Sequence, residues 1–323
     1  MKTRRLGRSG VPVTEISLGG AGIGNLFRAV SDDDARAVVD AAWDGGVRYF
    51  DTAPHYGLGL SERRLGAALA GRPRDSYVIS TKVGRLLVPS SGPDRSGRDT
   101  EGFDVPATHS RRWDFSAGGV RRSLSDSLAR LGLDRVDVVF IHDPDDFADQ
   151  ALAEAYPALE KLRGEGVVRA IGAGMNQWQL LERFVRETDI DVVLLAGRYT
   201  LLDVSAADSL LPAALERGVS VVAGGVFNSG VLAAPEAGAT YDYEAAADSV
   251  VERARRLESV CAGYGVPLRA AAARFPLRHR SVASVLIGAR SAAEVCDALA
   301  LRSLPIPDEL WPALAHVAEG GDA

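Results

Sequence analysis

The sequence predicts a single (β/α)8 barrel, an α/β fold with an N-terminal β-hairpin cap and long loops at the strands' C-terminal face. Three observations carry that reading. Eight short runs rich in Val and Ile recur along the 323 residues, helical patterns separate most of them, and no shift in composition marks a second domain. The runs are continuously apolar rather than alternating, as strands buried on both faces of a parallel sheet have to be. An open doubly wound sheet would satisfy the same alternation. About 40 residues per unit over eight units favours the closed barrel, with one domain spanning residues 1–323.

Before the first strand, residues 4–6 and 11–13 flank the turn 7–10, which reads as a hairpin placed to plug the barrel's N-terminal end. The expected strands are 16–20, 47–53, 77–83, 136–142, 168–174, 191–197, 219–225 and 282–288. The clearest helix opens at Ser31 as N-cap, puts Asp32, Asp33 and Asp34 at the positive dipole end, and buries Ala35, Val38, Val39 and Ala42 on one face. It stops at Gly45 and Gly46. Similar patterns cover 61–70, 116–131, 149–163, 177–187, 205–217, 243–264 and 291–301.

Two segments break the rhythm. Residues 84–115 form a polar stretch after the third strand, with Pro89, Pro93 and Pro106. Such length in a compact domain marks a lid or binding loop, with a disordered insertion as the alternative. The second is 226–242, after the seventh strand.

The formal net charge is −6, from 37 basic and 43 acidic side chains, and no basic stripe interleaved with aromatics occurs, so a nucleic-acid partner is not expected. No apolar run approaches the roughly 18 residues of a bilayer crossing, and the opening MKTRRLGRSG lacks the apolar middle of a secretion signal. A cytoplasmic address and small-molecule partners are expected, with no membrane association. Cys261 and Cys296 stand alone, indicating neither a disulfide framework nor a thiolate metal site. The five histidines, at 55, 109, 142, 279 and 316, include no H-E-x-x-H, so no metal is expected and a metal-dependent hydrolase is disfavoured.

In a (β/α)8 barrel the working site lies at the strands' C-terminal ends. Asp51 closes one strand, Lys82 the next and His142 a third, and Tyr56 follows Asp51 on its loop within DTAPHYGLGLSE. Taken singly, they also suit a buried ion pair, a loop aromatic and a core histidine. Together they suit proton transfer to or from oxygen: a phenol with a pKa near ~10 needs a neighbouring cation to work at neutral pH. Lys82 supplies that cation, Asp51 keeps it charged and oriented, and His142 either donates a hydrogen bond to the substrate oxygen or shares the proton with Tyr56. Carbonyl–alcohol interconversion also moves a hydride, which no side chain accepts, so a nicotinamide cofactor is implied. G-x-G-x-x-G is absent. The phosphate-binding candidates are therefore Phe227, Asn228, Ser229 and Gly230 after the seventh strand and Arg290, Ser291 and Glu294 after the eighth. His55 and Trp113 are candidate substrate contacts.

DTAPHYGLGLSE, the strand-end lysine of STKVG and the histidine of IHDPD resemble the aldo-keto reductase family over nearly the whole chain. The resemblance implies a catalytic tetrad of Asp51, Tyr56, Lys82 and His142. It also implies NAD or NADP extended across the mouth, with Asn176 holding the carboxamide and Arg290 near the adenosine. The chain departs from the family pattern at Gly174 and Met175, where a hydroxyl is usual, and at Ala196 and Gly224, where Gln and an aromatic are usual. The strings MNQWQLLERFVRETDIDVVLLAGRYTLLD and GGVFNSGVLA resemble a bacterial branch containing aldose 1-dehydrogenases, L-fucose dehydrogenase among them, and pyridoxal 4-dehydrogenase. That branch implies oxidation of a sugar hemiacetal to a lactone. A pyridoxal dehydrogenase, a general aldehyde reductase and a nicotinamide-binding regulatory subunit remain as alternatives. With Arg290 and no second basic residue evident on the last loop, NAD is slightly favoured over NADP. Oligomeric state is left open.

Overall fold

The protein is described by a computed structural model covering residues 1–90 and 97–318. β1 (Thr3–Leu6) and β2 (Val11–Thr14) form the expected antiparallel hairpin, with Leu6 opposite Val11. All eight apolar runs then contribute strands: β3 (Ile16–Gly19), β4 (Tyr49–Asp51), β5 (Val78–Val83), β8 (Val138–His142), β9 (Ala170–Met175), β10 (Val192–Ala196), β11 (Ser220–Gly224) and β14 (Val282–Gly288). They close one parallel barrel in chain order, β14 pairing with β3 to complete the ring.

Alternate strand residues divide between two apolar layers. Val138, Phe140, Val192 and Leu194 point into the barrel with Tyr49 and Val78, while Val139, Ile141, Val193 and Leu195 pack outward against the helices. Leu6, Val11 and Val13 of the hairpin belong to the inner layer, so the hairpin floors the barrel. Its turn presses close: Gly7 adopts φ +47°, and a Cβ there would lie 2.2 Å from the Asp191 carbonyl oxygen.

The helices are α1 (Asp32–Asp44), α2 (Leu60–Leu69), α3 (Ala117–Leu131), α4 (Ala148–Gln150), α5 (Tyr156–Gly164), α6 (Trp178–Glu187), α7 (Leu210–Arg217), α8 (Asp248–Gly263), α9 (Leu268–Arg274), α10 (Ala292–Arg302) and α11 (Leu310–Ala318). Ser31, Ser116 and Ser291 each cap a helix by accepting a backbone N–H three residues on. Four expectations need correction. The helix expected over 149–163 is α4 and α5 joined by a π turn, Ala151–Ala155. The one expected from 205 starts at Leu210, after a turn in which Thr200 Oγ1 accepts from the amides of Leu202 and Asp203. The one expected from 243 starts at Asp248, because β12 (Thr240–Tyr241) and β13 (Glu244–Ala245) pair first. Helices α9 and α11 were not anticipated.

The long polar stretch after β5 is bracketed by a second ribbon, β6 (Arg85–Pro89) paired antiparallel with β7 (His109–Trp113); residues 91–96 between them lie outside the described residues. It reaches back over the barrel mouth. Phe103 pairs with Leu26, and the Phe27 amide donates to the Gly102 carbonyl at 2.8 Å. Among the described residues no helix is long and apolar enough to cross a membrane.

Candidate active site

Parallel pairing sets β4, β5, β8 and β9 side by side, with Asp51 opposite Ser80, Lys82 opposite Phe140 and His142 opposite Gly174. Their polar ends therefore meet at one mouth. Lys82 Nζ donates to Asp51 Oδ2 at 2.6 Å and to the Thr52 carbonyl at 3.0 Å, and Ser80 Oγ donates to Asp51 Oδ1 at 2.6 Å. Nζ also lies 4.7 Å from the centroid of the Tyr56 ring. The His142 ring meets that ring edge-on at 5.9 Å. The loop bearing Tyr56 is pinned by Gly57, at φ +62°, where a Cβ would lie 2.2 Å from the Gly24 carbonyl oxygen.

The electrostatics follow from this packing. Burial works against the Lys82 ammonium, but Asp51 and Tyr56 outweigh it and hold its pKa above the ordinary lysine value. Desolvation pushes the Tyr56 phenol up, Lys82 pulls it down and Asp51 opposes that pull, so the phenol stays above its ordinary pKa. This corrects the sequence expectation: the lysine limits the rise without reversing it. His142 is held well below the usual imidazole range by burial and then by Arg85, Lys82 and His55, so it is neutral. His55 is lowered to about 2, again by burial first and then by Arg85, Arg111 and Lys82.

Tyr56, Lys82 and His142 line a cavity of about 430 Å³, with Asp51 buried beneath Lys82. His55 and Asn176 line it, as do Gly174 and Met175. Leu26, Phe27, Phe103, Leu194 and Tyr243 supply an apolar wall, and Glu101, Asp143, Asp242 and Glu244 supply carboxylates. Trp113 does not line it. It is 41% exposed and stacks on Phe115 at 5.8 Å, with the Arg85 guanidinium 4.4 Å from its ring. Sequence reasoning also missed Arg85, Glu101 and Asp143, whose meeting depends on the ribbon folding back.

The family model described as "Aldo/keto reductase family" matches residues 15–319. The chain belongs to the aldo/keto reductase family. It is 49% identical over 312 residues, 95% of each chain, to D-threo-aldose 1-dehydrogenase of a Pseudomonas species. It is 41% identical over 332 residues, 96% of each chain, to pyridoxal 4-dehydrogenase of Microbacterium luteolum. Among solved structures, aldo-keto reductase AKR11C1 from Bacillus halodurans (holo form) superposes with a TM-score of 0.77 at 26% identity, covering 100% of this chain and 98% of that one. The protein is an NAD(P)-dependent oxidoreductase.

In this aldo/keto reductase the expected cofactor loops show what they have available. Asn228 Nδ2 donates to the Gly197 carbonyl at 3.1 Å while its buried Oδ1 lacks a partner among the described residues, and Ser229 Oγ accepts from the Tyr243 amide at 2.9 Å. Phe227 packs between the barrel layer and the cluster around α8 and α11. On the last loop, Ser291 caps α10, and Glu294 accepts from the Arg290 amide at 2.8 Å. The buried Arg290 Nε has no partner among the described residues. The unpartnered Arg290 Nε, a donor beside the N-terminus of α10, fits a phosphate group, whereas Asn228 Oδ1 is an acceptor and suits a ligand hydroxyl or amide donor. The structure also brings in a second cation that the spacing had not exposed: Arg28, after β3, lies 3.8 Å from Glu294.

Proposed function

We propose that the whole chain, residues 1–323, works as one NAD-linked aldose 1-dehydrogenase domain that oxidises the anomeric carbon of L-fucose or a similar free sugar to the lactone. The observation that carries this is that Tyr56, Lys82 and His142, with Asp51 paired to the lysine beneath them, line a cavity whose walls combine an apolar face with carboxylates. A pyranose offers both C–H faces and hydroxyl edges to such walls. Identity of 49% to an enzyme named for aldose oxidation supports the same substrate class.

When bound, NAD+ supplies the hydride acceptor. The chain's own residues manage the proton. Tyr56 in its phenolate form takes the anomeric hydroxyl proton, Lys82 stabilises that phenolate, and Asp51 holds the ammonium in place. Neutral His142 donates a hydrogen bond to the same oxygen. Asn176 is assigned to the carboxamide, Phe227, Asn228, Ser229 and Gly230 to the pyrophosphate, and Arg290, Ser291 and Glu294 to the adenosine end. The Glu294 carboxylate supports NAD over NADP, because it offsets Arg28 and Arg290 and repels a 2′-phosphate. Two free cysteines support a cytoplasmic, reducing location.

A second reading, oxidation of pyridoxal, is favoured by the aromatic wall of Phe27, Phe103 and Tyr243 and by the 41% identical relative. Absorbance at the reduced-nicotinamide band, followed with NAD+ and NADP+ over aldoses, pyridoxal and simple alcohols, tests both. Turnover of aldoses with NAD+ is the expected result, and turnover confined to pyridoxal would select the second reading.

A further inference from the structure

Asp143 follows His142 directly and adopts φ 42°, a left-handed backbone that is uncommon for any residue other than glycine. Its amide donates to the Gly174 carbonyl at 3.0 Å, which fixes the turn at the mouth. The carboxylate is clamped from behind by Arg85, whose guanidinium is in turn held over the Trp113 ring at 4.4 Å. Arg85 and Trp113 are cross-strand partners of the ribbon β6–β7, so the excursion delivers a cation to the back of Asp143. Arg85 takes Oδ2, which also lies 3.5 Å from His142 Nε2; Oδ1 accepts no hydrogen bond among the described residues, and both Asp143 and His142 line the cavity. His142, only 6% exposed, leaves its Nδ1 without a partner among the described residues. A buried imidazole with an unmet hydrogen bond, next to a carboxylate fixed from one side only, describes a receptor for a ligand carrying adjacent hydroxyl groups.

We propose that Asp143 is the residue that reads the hydroxyl on the carbon next to the reacting one, accepting a hydrogen bond from the sugar 2-hydroxyl while His142 and Tyr56 engage the anomeric oxygen. Oxygens on neighbouring carbons match two protein groups that are themselves neighbours. Trp113 takes part as a positioning residue through Arg85, without touching substrate. The inference rests on the aldose reading given above and adds to it a substrate requirement: an unphosphorylated sugar with a free 2-hydroxyl. Phosphate or carboxylate at that position would meet the Asp143 charge.

The test is a cycle of enzyme and substrate. Initial rates with NAD+ are measured for wild type and Asp143→Asn, each on an aldose and on its 2-deoxy analogue, so that the analogue's intrinsic reactivity cancels in the ratio. Wild type is expected to favour the parent sugar by roughly ten- to hundredfold in kcat/KM, the weight of a hydrogen bond to a charged group. Asp143→Asn should lose most of that preference, mainly through a higher KM, and Asp143→Glu should restore part of it. A preference equally large in Asp143→Asn overturns the inference while leaving the aldose reading intact. A wild-type enzyme that oxidises no aldose overturns both.

Discussion

Lys82 and Asp51 form an ion pair shut away from solvent, Nζ to Oδ2 at 2.6 Å with side-chain exposures of 1% and 0%. Each charge is tolerable there only because the other is present. Ser80 and the Thr52 carbonyl complete the shell. Removing one partner leaves an uncompensated buried ion, which typically costs about 3–5 kcal/mol. Asp51→Ala is therefore expected to lower unfolding stability by that order, read from urea midpoints. Asp51→Ala with Lys82→Met should be less destabilised than the sum of the two single variants. Strict additivity would show that the pair does not couple.

Tyr56→Phe keeps the ring that Lys82 faces but removes the proton carrier. Turnover should fall by roughly 10²-fold or more. Binding of NAD+ or NADH, followed by quenching of tryptophan fluorescence, should persist. Near wild-type turnover would remove Tyr56 from the chemistry. Lost dinucleotide binding would instead make it a structural residue.

The pH dependence of sugar oxidation follows from the direction of the Tyr56 shift. Burial keeps the phenol protonated near neutrality, so the rate should climb with pH as the phenolate forms, with no plateau at pH 7. Lys82 opposes the rise, and Lys82→Met should carry the inflection further into the alkaline range while lowering turnover at every neutral pH. An unshifted profile in that variant would break the assigned coupling between ammonium and phenol.

The barrel was legible because each strand must bury both faces, and runs such as 138–142 have no polar residue until the mouth. For the same reason Asp51, Lys82 and His142 stood out as strand-closing polar groups. Less was legible where stability comes from distant partners. Helix α9 is a short segment of alanines buried nearly all round, so it shows no amphipathic period. Ribbon β6–β7 reads as polar loop because residues such as Arg85 and Arg111 meet partners outside their own strands, Asp143 for one and Asp99 for the other. Arg28 reaches Glu294 from the opposite end of the chain. Such contacts leave no local pattern, which is also why Trp113 was read as touching substrate rather than supporting Arg85.

The hairpin floor makes a different claim testable. Gly7 turns at φ +47° and its amide donates to Ser220 Oγ at 2.7 Å, so the turn lies directly on the start of β11. Gly7→Ala places a methyl 2.2 Å from backbone that cannot yield without moving the floor. The variant should lose roughly 1–3 kcal/mol of stability while the tetrad at the opposite end keeps its KM. Gly71, also at positive φ but with open space around its Cβ, serves as the control, and Gly71→Ala should cost less. Equal losses at both sites would reduce the effect to backbone strain alone and deny the floor contact.

Two neutral imidazoles at the mouth give the protein an acid limit. His55 is lowered to about 2 and His142 well below its usual range, whereas in the unfolded chain both titrate near about 6.5. Below that value the unfolded state binds protons that the folded state refuses. Stability is therefore fully present above about pH 6.5 and is lost as pH falls. Between pH 7 and 5.5 each imidazole should remove roughly 1 kcal/mol. His55→Asn and His142→Asn should each recover about half of the combined loss, measured as the change in urea midpoint between the two pH values. If the double variant loses as much stability over that interval as wild type, the imidazoles are not the acid-sensitive groups, and the neutral state assigned to His142 fails with them.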